Sequence, residues 1–218
     1  MKYIEIKIIK IQDENYPKLL REVYDPPKQL YVQGNINIFN NPSIAIVGCR
    51  EPSEYGKKAA QYFSYNLAKQ NINIVSGLAK GIDSFAHIGA LQAKGKTIAV
   101  IGSGLDIIYP KENEKLAQEI IKNGGAIISE YPLGTRPEKD HFPARNRIIS
   151  GLCKGVLVVE AKEKSGSLIT ADFAMEQGKE VFAVPGNINS LNSVGTNMLI
   201  KDGAIPVCNY NDVIQYLL

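Results

Sequence analysis

Short, continuously apolar runs punctuate the chain after about residue 40: Ile44–Gly48, Ile72–Ser76, Thr97–Gly102, Ala126–Ser129, Val156–Glu160 and Glu180–Pro185. Runs such as Ile44-Ala-Ile-Val47 and Val156-Leu-Val-Val159 are rich in Val and Ile and show no polar alternation. A strand with one face in water would alternate, so these strands are expected to be buried on both faces. Between them lie stretches of helical period, with Ala60, Phe63 and Leu67 on one face as an example. Regular strand–helix alternation with right-handed crossovers predicts an α/β fold. The expected form is an extended Rossmann-like, doubly wound, mainly parallel sheet with helices on both faces.

Residues 1–40 break this rhythm. Lys2–Ile11 reads as an exposed or edge strand, and Tyr16–Val23 as a short helix stopped by Pro26-Pro27. Gln29–Gln33 is a further strand, ending at Gly34-Asn35. Forty residues are too few for a separate core, so they are expected to form an extension packed on a Rossmann-like domain, residues 41–218. After Pro185 the pattern weakens into a helix over Val194–Lys201, a strand at Ala204–Val207 and a last helix, Tyr210–Leu218.

Composition narrows the classes. Hydrophobic residues make up 44% and charged residues 22% of 218 residues, which excludes a disordered tail, a fibre and a coiled coil. Lys and Arg total 25 against 22 acidic residues, a net +3 that permits a polyanionic partner without demanding one. No apolar run approaches the ~20 residues of a membrane span, and the N-terminus lacks a signal-peptide pattern. Three cysteines, Cys49, Cys153 and Cys208, match no disulfide framework or zinc motif. The expectation is a cytoplasmic protein with no membrane insertion, no metal and no cofactor.

Function in such a sheet sits at the carboxyl ends of the strands. The loops there are glycine-rich: Gly48-Cys-Arg50, Ser76-Gly-Leu-Ala-Lys-Gly81, Gly102-Ser-Gly104 and Ser165-Gly-Ser167. Glycine lets backbone amides approach an anion, and the following helix aims its positive end at it. The loops can thus form an extended anion track, or simply turn the chain. None is a Walker A loop, and none is an intact G-x-G-x-x-G. Asp83 and His87, four apart on the helix after Gly81, fit either a catalytic couple or an intrahelical orienting pair. His141 has no evident partner, and Glu130 and Glu160 after their strands suit a ribose contact or a loop brace equally. Between Arg136 and Arg147 stand Lys139, Phe142 and Arg145. The cations offer phosphate contacts, and Phe142 either a stacking face for a base or a core side chain.

Seven strings carry a resemblance: YPKLLREVYDPPKQLYVQGN, IAIVGCREPSEYGKKAA, VSGLAKGIDSFAHIGAL, GKTIAVIGSGLDIIYPKEN, ISEYPLGTRPEKDHFPARNRIISGL, VVEAKEKSGSLITADFA and VFAVPGNINSLNSVGTNMLIKDGA. In this order they resemble the DNA-processing protein A (DprA/Smf) family, over nearly the whole chain from Tyr16 to Ala204. The resemblance implies a non-enzymatic, homodimeric single-stranded DNA binder that protects incoming DNA and helps load the RecA recombinase in natural transformation. It implies DNA contacts by Arg50, by Ser76, Gly77, Lys80 and Gly81, by Lys139 and Phe142, and by Ser165, Gly166 and Ser167. Arg145 and Arg147 belong to the motif and either meet DNA or brace the site. The resemblance places a dimer contact at Asn197, Ile200 and Pro206.

The chain departs from the family pattern in three places. Cys49 stands where Ser or Thr is commoner, and Lys80 where Arg is usual, which puts a bidentate phosphate contact there in doubt. Many members carry a C-terminal winged-helix-like domain, which this chain is expected to lack because its sequence stops at Leu218. The alternative reading is an enzyme, a phosphoribohydrolase of the lysine decarboxylase-like Rossmann type. Against it, Lys164–Asp172 has neither the double glycine nor the glutamate pair of those proteins. A third reading is a nucleotide-sensing domain using Gly102–Gly104.

Overall fold

The computed structural model describes residues 5–217, so the start of the expected strand Lys2–Ile11 and Leu218 of the expected last helix lie outside the described residues. The first strand, β1 (Ile6–Lys10), is followed by one helical turn, α1 (Lys18–Arg21), and by β2 (Gln29–Gly34). Then come β3 (Ser43–Val47), α2 (Glu54–Lys69), β4 (Asn73–Ser76), α3 (Ile82–Gln92), β5 (Thr97–Ile101), α4 (Glu114–Lys122) and β6 (Ala126–Ser129). The second half runs α5 (His141–Gly151), β7 (Gly155–Val158), α6 (Gly166–Glu176), β8 (Glu180–Ala183), α7 (Val194–Lys201), β9 (Ile205–Pro206) and α8 (Asn211–Leu217). The helix expected over Tyr16–Val23 is shorter than its apolar pattern: Tyr16, Leu20 and Val23 are all buried, but only Lys18–Arg21 is helical.

One sheet holds every described strand, in the order β1-β2-β6-β5-β4-β3-β7-β8-β9. Pairs from β6 to β9 are parallel, and β2 joins β6 antiparallel, with β1 antiparallel to β2 beyond it. The double burial expected of the strands is seen residue by residue. In β3, Ala45 and Val47 enter one apolar cluster while Ile44 and Ile46 enter another. The first cluster includes side chains of α1, α5, α6 and α7; the others include α2, α3, α4 and α8. The sheet is therefore a middle layer between helices, as in a doubly wound Rossmann-like fold. Tyr16, Leu20, Leu30 and Val32 from the first forty residues share the first cluster with the sheet strands.

The strand order reverses direction at β3 and β7, which are neighbours in space but far apart in sequence. At such a switch point the loops after the two strands diverge and leave a crevice. The segments 48–53 and 159–165 flank it.

Candidate nucleic-acid interface

Arg50 follows β3 and is exposed. Phe142, in the first turn of α5, lies near two guanidinium groups: the Cζ atoms of Arg50 and Arg145 are each 5.9 Å from its ring centroid. The ring of Tyr109, half-exposed after β5, stands 5.7 Å away. Phe142 belongs to none of the three apolar clusters, so it is a half-buried ring on the sheet edge and not a core side chain. Arg136 and Lys139 are exposed just before α5, and neither they nor Arg50 makes an ion pair among the described residues. The fold thus brings Arg50 to Phe142, which follows Lys139 closely in sequence, and adds Tyr109, which the motifs did not single out.

Of the two remaining arginines of the motif, Arg145 is buried and Arg147 is partly buried. Arg145 is 5% exposed, and its Nη1 donates to Gly77 O at 2.5 Å and also to Val100 O, tying α5 to the ends of β4 and β5. Its Nε is buried without a partner among the described residues. Burial lowers its pKa to about 10, against the pull of neighbouring Asp83. Arg147 bonds Asp25 at 2.9 Å and Glu130 at 2.8 Å, joining α5 to the first forty residues and to the segment after β6. Both thus have partners within the chain that join separate segments.

Several groups of these loops have partners within the chain. The Asp83 carboxylate accepts the amides of Gly77 at 3.1 Å and Ala79 at 3.4 Å. Burial raises its pKa, opposed by Arg145 and those amides. Asp83 therefore does not pair with His87, whose Nδ1 instead meets the Thr97 hydroxyl at 2.7 Å. Ser76 is fully buried and donates to Ile46 O at 2.7 Å. A Cβ at Gly77 would lie 2.4 Å from the Arg145 guanidinium, so only glycine fits beside that brace. Gly81 has φ +78°, and a Cβ there would sit 2.4 Å from Cys49 O; this glycine lets the Ser76–Gly81 loop close on the Arg50 loop. Lys80 is exposed but ion-paired to Glu112 at 2.6 Å. In the Gly102–Gly104 loop, Gly104 N donates to Thr135 O, and His141 Nδ1 meets Gly102 O at 3.0 Å.

At the switch point the floor is Glu160, 2% exposed. Its carboxylate accepts the Ser53 amide at 2.9 Å, the Ser53 hydroxyl at 2.5 Å and the Cys49 thiol at 3.7 Å. A Cβ at Gly56 would strike it at 2.2 Å, so glycine admits the carboxylate to the start of α2. Burial, with Glu160 beside it, pushes the Cys49 thiol up to about 11. Ser165 caps α6: its hydroxyl accepts the Ser167 amide at 3.4 Å and lies 2.8 Å from the Ser167 hydroxyl. Gly166 is exposed, and its carbonyl accepts Asn146 Nδ2 at 3.2 Å. On α7, Asn197 bonds both the amide and the carbonyl of Gly186. Ile200 is half-buried against the first cluster, and Pro206 is exposed on the edge strand β9. Among the described residues no three His, Cys, Asp or Glu side chains are placed to hold a metal ion, and no helix is long and apolar enough to cross a membrane.

The profile of the DNA recombination-mediator protein A family matches residues 7–218. The DNA processing protein DprA of Streptococcus pneumoniae is 51% identical over 204 residues, covering 94% of this chain and 72% of that protein. Its X-ray structure superposes with a TM-score of 0.92 at 47% identity, covering 98% of this chain and 75% of that one. The structure of DNA processing protein A from Helicobacter pylori, described for its single-stranded DNA binding mode, gives a TM-score of 0.88 at 37% identity, covering 99% and 96%. With this sheet order, the motif order and a match over nearly its full length, the chain belongs to the DNA recombination-mediator protein A family.

Proposed function

We propose that this chain binds single-stranded DNA along the carboxyl edge of its sheet and acts without catalysis as a recombination mediator in the cytoplasm. In this reading it shields an incoming strand and helps load a RecA-type recombinase during natural transformation. The observation that carries the reading is the exposed Arg50 held against the Phe142 ring, with Lys139 just ahead of α5. Cations without internal partners take phosphates, and a ring on the surface takes an unpaired base. The Helicobacter pylori relative, whose description names single-stranded DNA, supports it. Gly81, Lys80 and the Ser165–Ser167 turn flank the path of the strand, while Ser76, Gly77, Arg145 and Arg147 hold its walls. A homodimer through the α7 and β9 side, at Asn197, Ile200 and Pro206, gives the assembly two such edges.

The test is the salt dependence of oligo-dT binding. If Arg50 and Lys139 each neutralise one phosphate, Arg50→Ala with Lys139→Ala flattens the log–log slope by roughly 1.4, about 0.7 per contact. An unchanged slope in a folded double variant removes both residues from the phosphate path.

A further inference from the structure

A cleft of about 420 Å³ opens beside the Arg50 loop, at the carboxyl ends of β3, β7 and β8. Ser53, Tyr55, Glu160, Pro185, Asn187 and Ser190 line it. Its size suits one small organic group, and its position at a sheet switch point is where α/β folds place ligands. Its chemistry differs from that of the Arg50–Phe142 surface. No cation is among the described residues that line it, and its floor is the buried Glu160 carboxylate. A phosphate there would face an anion in a poorly solvated wall, so the occupant is neutral. A carboxylate offers about four acceptor positions, and Ser53 and Cys49 leave room for one more donor on Glu160. The Tyr55 hydroxyl donates to Pro185 O at 3.0 Å, which fixes its half-exposed ring as a flat wall. A planar group that stacks on one side and donates N–H at its edge fits these walls.

We propose that the cleft takes one unpaired, amino-bearing nucleobase, stacked on Tyr55 and donating its amine to Glu160. The proposal rests on the single-strand reading: Ser53 and Tyr55 follow Arg50 closely in sequence, so a strand anchored there can turn a base into the cleft. Thymine or uracil presents carbonyl oxygens beside its single edge N–H, and these oppose the carboxylate. Cytosine presents an amine.

Oligo-dC and oligo-dU of equal length separate the two edges, since both are single-ringed and lack the methyl group. Binding by fluorescence anisotropy is expected to favour oligo-dC about tenfold. Glu160→Gln, whose amide can face either edge, is expected to erase that preference. Tyr55→Leu, at an exposed ring, is expected to weaken oligo-dC about tenfold. Equal wild-type affinities, or a preference that survives both variants, overturn the proposal. Saturation-transfer NMR with free deoxycytidine supplies the second arm. A signal lost in Tyr55→Leu supports the cleft even if Glu160→Gln does not fold, and a signal unchanged in that variant overturns it. A chain that held deoxycytidine but no oligonucleotide would sink the single-strand reading and leave a nucleoside site.

Discussion

Two buried or half-buried rings behave oppositely because of what surrounds each. His87 is fully buried, and the Thr97 hydroxyl donates to Ile74 O, so it must accept from His87 Nδ1–H. Nε2 then carries a lone pair with no partner among the described residues. Burial, with Arg145 nearby, pushes the pKa down from 6.5 to about 3. The unfolded chain therefore binds a proton below about pH 6.5 that the folded chain refuses, and stability must fall as pH falls from 6.5 toward 3. Each pH unit in that window costs up to about 1.4 kcal/mol. Urea unfolding of His87→Gln is expected to show a flatter dependence between pH 6.5 and 5 than the unaltered chain; equal slopes would assign the loss to other groups. Phe142 sits outside every apolar cluster, so Phe142→Ala is expected to cost only about 1 kcal/mol of stability, the size of a lost cation–π contact. Its oligonucleotide affinity should drop by about 1–3 kcal/mol. A large fall in melting temperature would instead make the ring structural.

At the level of elements, the carboxyl-edge loops show what could be read in advance. The strands were legible because burial on both faces leaves runs with no polar alternation, and β3 and β7 obey this at every residue. The occupants of the loop amides were not legible. Asp83 reaches back six residues to Gly77, and Glu160 reaches Ser53 across 107 residues, distances over which composition carries no signal. A carboxylate already tethered to the chain fills an amide cluster without the entropy cost of binding a free anion, so a glycine-rich loop alone overstates the free anion sites. Gly56 and Gly77 are the traces left in sequence, each present because a buried charged side chain needs the space of a Cβ. Ser53 joins these devices: its hydroxyl caps α2 by accepting the Gly56 amide at 3.2 Å and donates to Glu160. Ser53→Ala is expected to cost about 2–3 kcal/mol, roughly 1 for the cap and the rest for a buried acceptor losing a donor. Ser53→Thr should recover most of it in thermal melting. A loss under about 0.5 kcal/mol in the alanine variant would mean that Glu160 is held by other groups.

For the molecule as a whole, the two ends of the sheet decide how copies can meet. The β1 edge exposes Lys7 and Lys10, and cations along an edge oppose strand-to-strand pairing. The opposite edge, β9, is two residues long, and Pro206 lacks the N–H that a neighbouring strand would need. Strand pairing across β9 is therefore disfavoured, so Pro206 can add only side-chain packing and the proposed dimer rests mainly on α7. There Met198 is 47% exposed, and Ile200 divides its surface between the core and solvent. A two-fold axis brings the same patch of each copy together, so one charge introduced there appears twice, desolvated and without a partner. In the single chain the same position is half-open, and a glutamate can turn toward water. Ile200→Glu is thus expected to halve the mass seen by light scattering with an unchanged circular dichroism spectrum. Short oligo-dT, which spans one edge, should bind as before through Arg50 and Lys139. Long oligo-dT should lose the added affinity that two linked edges provide, up to about 100-fold. A variant that stays dimeric would move the contact off α7, and one that unfolds would give Ile200 to the core, with Met198→Glu then deciding whether α7 still carries the interface.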